Sequence, residues 1–517
     1  METPLELSGA PLTVEEVVAV ARGGRPVALA PTALERIAAG RAAVERVVAG
    51  ERVCYGVTTG FGALSKVRIP PEAQSELQHN LVRSHAAGTG QPLPPDAVRA
   101  MLLLTAASLA RGASGVRPEL VAALVALLNR GVVPLVPSRG SVGASGDLAP
   151  LAHIALVLIG EGQALADAAR PASALHRPSP IPGHEALARA GLAPLRLAAK
   201  EGLALLNGTH LMAGLGALLL YDAGRLLRAA EVAAAMSLDA ALGTHAPLDP
   251  WLHELRRQPG QIACAARLRA LLAGSELPAS HRDDPRVQDP YSLRCIPQVL
   301  GAARDALAWA EGVIAAELGA VTDNPLVRAT DDAVLSGGNF HGQPLATALD
   351  LLAITLAQVA GMSERRTYLL LSAWEPEMHL PPFLAPRPGV QSGLMIVQYT
   401  AAALVAELRA LAQPASIASL PTSAGMEDWN SMGATAALQA MQALALARDV
   451  VAIELLCAAQ ALEVHRPLRS GAGVEAAYAR VRARVPALTT DRPPAPDIAA
   501  LADLIAEGGL DVPTKDA

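Results

Sequence analysis

Residues 196–241 read RLAAKEGLALLNGTHLMAGLGALLLYDAGRLLRAAEVAAAMSLDAA, the longest of several Ala/Leu-rich segments with helical spacing. The segment is apolar on almost every face, which marks a helix buried in a large bundle or at a subunit interface. Comparable segments span 95–112, 118–130, 298–320, 342–371, 395–413 and 432–463. Of the 517 residues 51% are hydrophobic, 17% charged and only 3% aromatic, so Ala, Leu and Val must fill the core. Ala and Leu are strong helix formers, and Ala lets helices approach closely. These features predict a mainly α fold, a central bundle of long helices with a mixed N-terminal part. Length alone would allow two to four domains. The division expected here is 1–195, 196–480 and a C-terminal segment 481–517.

Outward from the bundle the signals weaken. Two early helices are expected behind capping boxes, Thr13-x-x-Glu16 and Thr32-x-x-Glu35, each closed by glycine. Strand signals are confined to the first sixty residues and short connectors, and 170–187 and 484–497 read as proline-rich loops. Net charge is −6 with no Lys/Arg run, so the electrostatic footprint of a nucleic-acid binder is missing. The acidic METPLELSGAPLTVEE start is no signal peptide. LMAGLGALLLYDAG and LATALDLLAITLAQVAGM are too short for membrane spans or carry Asp222 or Asp350, and read as core helices. Cys54, Cys264, Cys295 and Cys457 are scattered without a CxxC, as free thiols of a cytosolic protein would be. No H-E-x-x-H occurs, and His79, His85, His341 and His465 lack ligand spacing, so no metal is expected.

Gly140–Pro150, GSVGASGDLAP, places three glycines and two serines ahead of an apolar segment. No lysine follows Gly146 as a phosphate-binding loop requires, and G-x-S-x-G fails at its fifth position. A bland reading is a flexible loop whose Asp147 caps the following helix. A second reading uses Ala144-Ser145-Gly146 together. Attack of the Gly146 amide nitrogen on the Ala144 carbonyl carbon closes a five-membered ring, and only glycine leaves that nitrogen unhindered. Loss of water from the ring and of a second from Ser145 leaves 4-methylideneimidazol-5-one (MIO), an electrophile made from the backbone.

GSVGASGDLAPLAH resembles the prosthetic-group segment of the aromatic amino acid ammonia-lyases and aminomutases. YGVTTGFG (55–62), NLVRSHAAGTGQPL (80–93), AAKEGLALLNGTH (198–210), VQDPYSLRCIPQV (287–299), VTDNPLV (321–327), SGGNFHGQP (336–344) and SLPTSAGMEDWNSMG (419–433) resemble further blocks, in family order. The resemblance covers roughly residues 10 to 480, and individual blocks look most like the histidine branch. It implies a fumarase/aspartase-like helical bundle, with the MIO loop and catalytic tyrosine in the N-terminal part. It also implies a cytoplasmic homotetramer whose active sites are shared between subunits, with Tyr55 and Ala144 meeting across a boundary.

Elimination of ammonia from an α-amino acid needs an electrophile, a base for a non-acidic β-proton and a cation for the carboxylate. The resemblance places Tyr55 as the base; near pKa 10 a tyrosine needs positive potential to serve at neutral pH. It places Arg294 as the carboxylate clamp, a planar fork suited to two oxygens. Tyr291, one helical turn earlier, is implied in proton movement. Asn207 is implied as the donor to the prosthetic group's carbonyl, and Gln288 and Phe340 as pocket residues. Asn324 reads equally as a helix-end turn residue. Ser84-His85 and Glu427 resemble the histidine branch, where a carboxylate facing an imidazole N–H rejects a hydrocarbon ring that would leave it unpaired. This implies histidine degradation: deamination of L-histidine to trans-urocanate. The chain departs from that branch at Thr58, His210, Met426, Trp429 and Asn430, which leaves a phenylalanine/tyrosine ammonia-lyase or an aromatic aminomutase as the alternative.

Overall fold

The computed structural model describes residues 3–50, 52–165, 179–373 and 375–512. The chain is mainly α, and its longest helices are Ile296–Leu318, Gln343–Ser372, His210–Ala240 and Gly433–Val464. They begin and end within a few residues of the spans their Ala/Leu spacing predicts. The exception is 196–241, which is two helices, Glu201–Leu206 and His210–Ala240, split at Asn207-Gly208-Thr209. The split is where the loop 140–147 meets the chain, so tertiary pairing outweighs local helix propensity there.

Contacts divide the chain into two compact units. The first comprises Met1–Tyr221, Glu311–Leu349 and Pro414–Leu438; the second comprises Asp222–Ala310, Asp350–Gln413 and Gln439–Ala517. The first unit holds the short strands. Leu5–Leu7 runs parallel to Val27–Leu29, and Thr89–Pro92 lies antiparallel to Pro137–Arg139. Val133–Pro134, Gln163–Leu165 and Ile181–Pro182 form a three-stranded sheet, and Leu326–Arg328 pairs with Ala333–Leu335. Strands therefore appear as connectors well beyond the first sixty residues.

The first expected capping box is present: Glu16 N donates to Thr13 Oγ1 at 3.2 Å, and Thr13 N to Glu16 Oε2 at 2.9 Å. The second is not. That helix starts at Pro31 with Ala30 before it, which places Thr32 inside the first turn. Proline at the first helical position lacks only an N–H that would be orphaned anyway, and its fixed φ suits the helix. Of the proline-rich stretch 170–187, residues 170–178 lie outside the described residues, while Gly183–Arg189 is helical. Helix also resumes at Ala495, inside the proline-rich 484–497.

In the second unit the apolar helices enclose buried charges that pair with one another. Arg366 and Glu454, both fully buried, form a bidentate pair at 2.5 and 2.8 Å, and Ser237 Oγ donates to the same carboxylate. Helix Gln343–Ser372 is long and apolar enough to cross a membrane, and 61% of its most apolar stretch is buried in protein.

Candidate active site

The loop 140–147 is shaped by its glycines. Gly143 and Gly146 have φ of +66° and +72°, in the left-handed region that side chains disfavour. Gly146 pairs with Gly208, and Asp147 N donates to Gly208 O at 2.7 Å. A Cβ on Gly146 would lie 2.2 Å from the Gly208 oxygen, and one on Gly143 would lie 2.1 Å from Ser431 Oγ. From the other side Ser431 Oγ donates to Gly143 O at 2.9 Å and Met432 N to Val142 O at 2.9 Å. Ala144, 5% exposed, is thus gripped between two segments far away in sequence.

Asp147 precedes helix Leu148–Leu158, as expected, but its side chain does not cap that helix. The carboxylate accepts from Leu211 N at 3.0 Å, Met212 N at 3.1 Å and Ser141 Oγ at 2.9 Å. It satisfies orphan N–H groups of the 31-residue helix His210–Ala240 instead. Complete burial pushes its carboxyl up to about 7 in spite of those three donors.

Asn207 ends helix Glu201–Leu206, one residue before the glycine that pairs with Gly146. Its Nδ2 donates to Asn324 O at 2.9 Å, and its Oδ1 is buried without a partner. An amide nitrogen carries two N–H groups, so one remains for a further acceptor. Asn324 is a turn residue, its Oδ1 accepting from Gly337 N at 2.7 Å and Ser336 Oγ at 3.2 Å. The neighbouring Asp323 receives the fully buried Lys200 ammonium at 2.6 Å, so both ends of helix Glu201–Leu206 are tied to residues 323–324.

Glu427 comes to the loop from the 422–427 turn. Its Oε1 accepts from Ser145 Oγ at 2.8 Å and its Oε2 from Thr422 Oγ1 at 2.8 Å. His85 ends helix Gln74–His85, its Nδ1 3.1 Å from Ser84 Oγ. Burial lowers the His85 pKa, and the Glu427 charge opposes that shift. Tyr55 lies half-buried in the turn 55–58, where its hydroxyl accepts from Gly62 N at 3.2 Å. Thr58, also in that turn, accepts from Cys54 N at 2.9 Å. Phe340 occupies the turn before helix Gln343–Ser372, and the adjacent His341 Nε2 is 3.1 Å from the Trp429 carbonyl oxygen.

The structure therefore brings Glu427 and the segment of Asn207 to the loop that carries Ser145, within the first unit. Gln288, Tyr291 and Arg294 belong to the second unit. Tyr291–Arg294 is one helical turn, with the Arg294 guanidinium carbon 4.4 Å from the Tyr291 ring centre. Tyr291 is 69% exposed, and Arg294 Nε is buried without a partner.

The departures from the histidine branch prove to be of two kinds. Met426 and Trp429 are exposed. Asn430 is buried and scaffolds the turn: its N donates to Ser419 Oγ at 2.8 Å, and its Nδ2 donates to the Leu420 carbonyl. Thr58 likewise braces backbone. His210 is buried beside Gly208 with both ring nitrogens unpartnered, and burial holds its pKa down to about 4. Sequence reasoning gave Ser141, Thr422 and Ser431 no holding role at the loop. Lone serines and threonines carry no signal until the fold shows what they hold.

The loop fits the precursor of the imidazolone. Its third residue tolerates no side chain, its serine is held by a carboxylate, and the orphaned Asn207 Oδ1 marks a buried polar site next to it. Among the described residues no three His, Cys, Asp or Glu side chains cluster as metal ligands.

The profile of the family described as aromatic amino acid lyase matches residues 12–483. The histidine ammonia-lyase of Anaeromyxobacter sp. (strain K) is 54% identical over 515 residues, 99% of this chain and 100% of that one. Among solved structures, histidine ammonia-lyase from Trypanosoma cruzi is similar with a TM-score of 0.89 at 39% identity, covering 98% of this chain and 94% of that one. Tyrosine aminomutase from Streptomyces globisporus reaches a TM-score of 0.91 at 36% identity, covering 99% of this chain and 100% of that one. With the loop, its bracing glycines and a family profile spanning most of its length, the chain belongs to the aromatic amino acid lyase family.

Proposed function

We propose that the chain removes ammonia from L-histidine, giving trans-urocanate, with an electrophile matured from Ala144-Ser145-Gly146. The observation that carries the substrate is the Glu427 carboxylate at the loop, held by Thr422 and 2.8 Å from Ser145 Oγ, with His85 within reach of its charge. A carboxylate there accepts an imidazole N–H and is left unpaired by a phenyl ring, which disfavours phenylalanine. The relatives named histidine ammonia-lyase support the same substrate.

When formed, MIO supplies an electrophilic methylene that no unmodified side chain offers. The remaining roles belong to this chain's residues. Asn207 keeps one N–H for the group's carbonyl, Tyr55 takes the β-proton, and Phe340 and Gln288 shape the pocket. Arg294 grips the substrate carboxylate through its two-pronged guanidinium, and Tyr291 beside it assists proton movement. The working enzyme is a cytoplasmic homotetramer with active sites shared between subunits.

The test is intact mass beside turnover. The purified chain is expected to be lighter than its sequence by two waters and to generate near-UV urocanate absorbance from L-histidine. An unmodified mass with no activity overturns the reading.

A further inference from the structure

In the unmodified chain Glu427 already has a partner. Ser145 Oγ donates to its Oε1 at 2.8 Å, while Thr422 Oγ1 holds its Oε2 at the same distance. The turn is closed behind it, Thr422 N donating to Glu427 O at 2.8 Å. The carboxylate proposed to read the substrate ring is thus engaged, before any substrate arrives, with the side chain that must be lost.

We propose that Glu427 acts earlier as well, as the acceptor that fixes Ser145 Oγ for the dehydration completing the electrophile. The proposal rests on reading Ala144-Ser145-Gly146 as the precursor. Ring closure forms the bond from Gly146 N to Ala144 C and releases the Ala144 oxygen as water with the two amide hydrogens of Ser145 and Gly146. The second step breaks the Ser145 Cα–H bond, whose electron pair forms the Cα=Cβ bond. The Cβ–Oγ bond breaks with its pair on oxygen. Solvent water takes the Cα proton and returns one to the departing Oγ–H, so a second water leaves.

That pair shift is efficient only if the Cβ–Oγ bond stands across the plane of the new ring. A serine side chain has three staggered rotamers, so an external hold on Oγ selects one. Glu427 supplies the hold, and Thr422 and the closed turn keep it in place. Holding the hydroxyl needs an acceptor oxygen but no charge, and a glutamine side chain retains such an oxygen. Reading an imidazole N–H, by contrast, draws on the charge. The two roles should therefore separate by substitution.

The experiment follows intact mass against time after synthesis for the full-length chain and for Glu427→Gln, Glu427→Leu and Thr422→Val, with thermal unfolding to verify folding and histidine turnover measured in parallel. Wild type is expected to lose two waters. Glu427→Gln should also lose two, yet drop in histidine turnover by about 100-fold or more. Glu427→Leu should stop one water lighter, with the ring closed and the hydroxyl retained, and Thr422→Val should lose its second water several-fold more slowly. Folded Glu427→Leu losing both waters at the wild-type rate overturns the proposal; should that variant not fold, an unchanged rate in Thr422→Val does so. If wild type itself keeps both waters, the precursor reading fails, and the proposal with it.

Discussion

At Gly146 one methyl group decides whether the loop can keep its shape, since a Cβ would meet the Gly208 carbonyl oxygen at 2.2 Å on a backbone with φ of +72°. Gly146→Ala is expected to abolish the two-water mass loss and to destabilise the fold by about 2 kcal/mol, read by urea unfolding. A variant that still matures would contradict the role given to that close approach. The reading of Ala-Ser-Gly as a precursor could be made from the sequence because the chemistry proposed for it needs only three consecutive residues. Glu427 was legible as a family position, but its hold on Ser145 Oγ, 282 residues away in the chain, was not. Asn430, a departure from the histidine branch in the sequence, braces the turn, which the sequence did not reveal. His210 supplies a second prediction. Its pKa near 4, against 6.5 for an ordinary histidine, means that the unfolded chain binds a proton the folded chain refuses between those values. Its contribution is therefore present above about pH 6.5 and lost as pH falls towards 4. Relative to His210→Gln, wild-type stability should drop by on the order of 3 kcal/mol across that window. Parallel stability profiles would contradict it.

Among the elements, helix His210–Ala240 shows how a tertiary partner edits a local signal. Ala/Leu spacing reads 196–241 as continuous, whereas the structure breaks it so that Gly208 can pair with Gly146 and Asp147 can cap the new helix start. The other long helices were readable because burial on nearly all faces leaves an unbroken apolar run. Helix Gln74–His85 escaped notice because two of its buried positions are glutamines, Gln74 and Gln78. Asp147→Ala is expected to cost about 1–2 kcal/mol through the uncapped N–H groups of Leu211 and Met212. The buried carboxyl also titrates near 7 rather than 3.8, so the folded chain holds a proton there that the unfolded chain has released. Its contribution falls as pH rises between those values, opposite in sign to that of His210. The penalty of Asp147→Ala should therefore be larger at pH 5 than at pH 8 in urea unfolding; an equal penalty at both would contradict the assignment.

For the whole molecule, Arg294, Tyr291 and Gln288 fall in one compact unit and Ser145, Asn207 and Glu427 in the other. Exposed apolar side chains such as Val287, Tyr291, Ile396 and Tyr399 in the second unit are the kind of surface that subunit contacts cover. Sedimentation is expected to find a tetramer, with activity lost on dilution to monomers; a fully active monomer would contradict shared active sites. The central claim, histidine deamination directed by Glu427, is tested most directly by one competition. Equal amounts of L-histidine, L-phenylalanine and L-tyrosine are incubated with the wild-type chain and with Glu427→Gln, and every product is identified. Wild type should yield trans-urocanate alone, and the substitution should cut it by about 100-fold or more. Cinnamate, coumarate or a β-amino acid as the main wild-type product would contradict the claim.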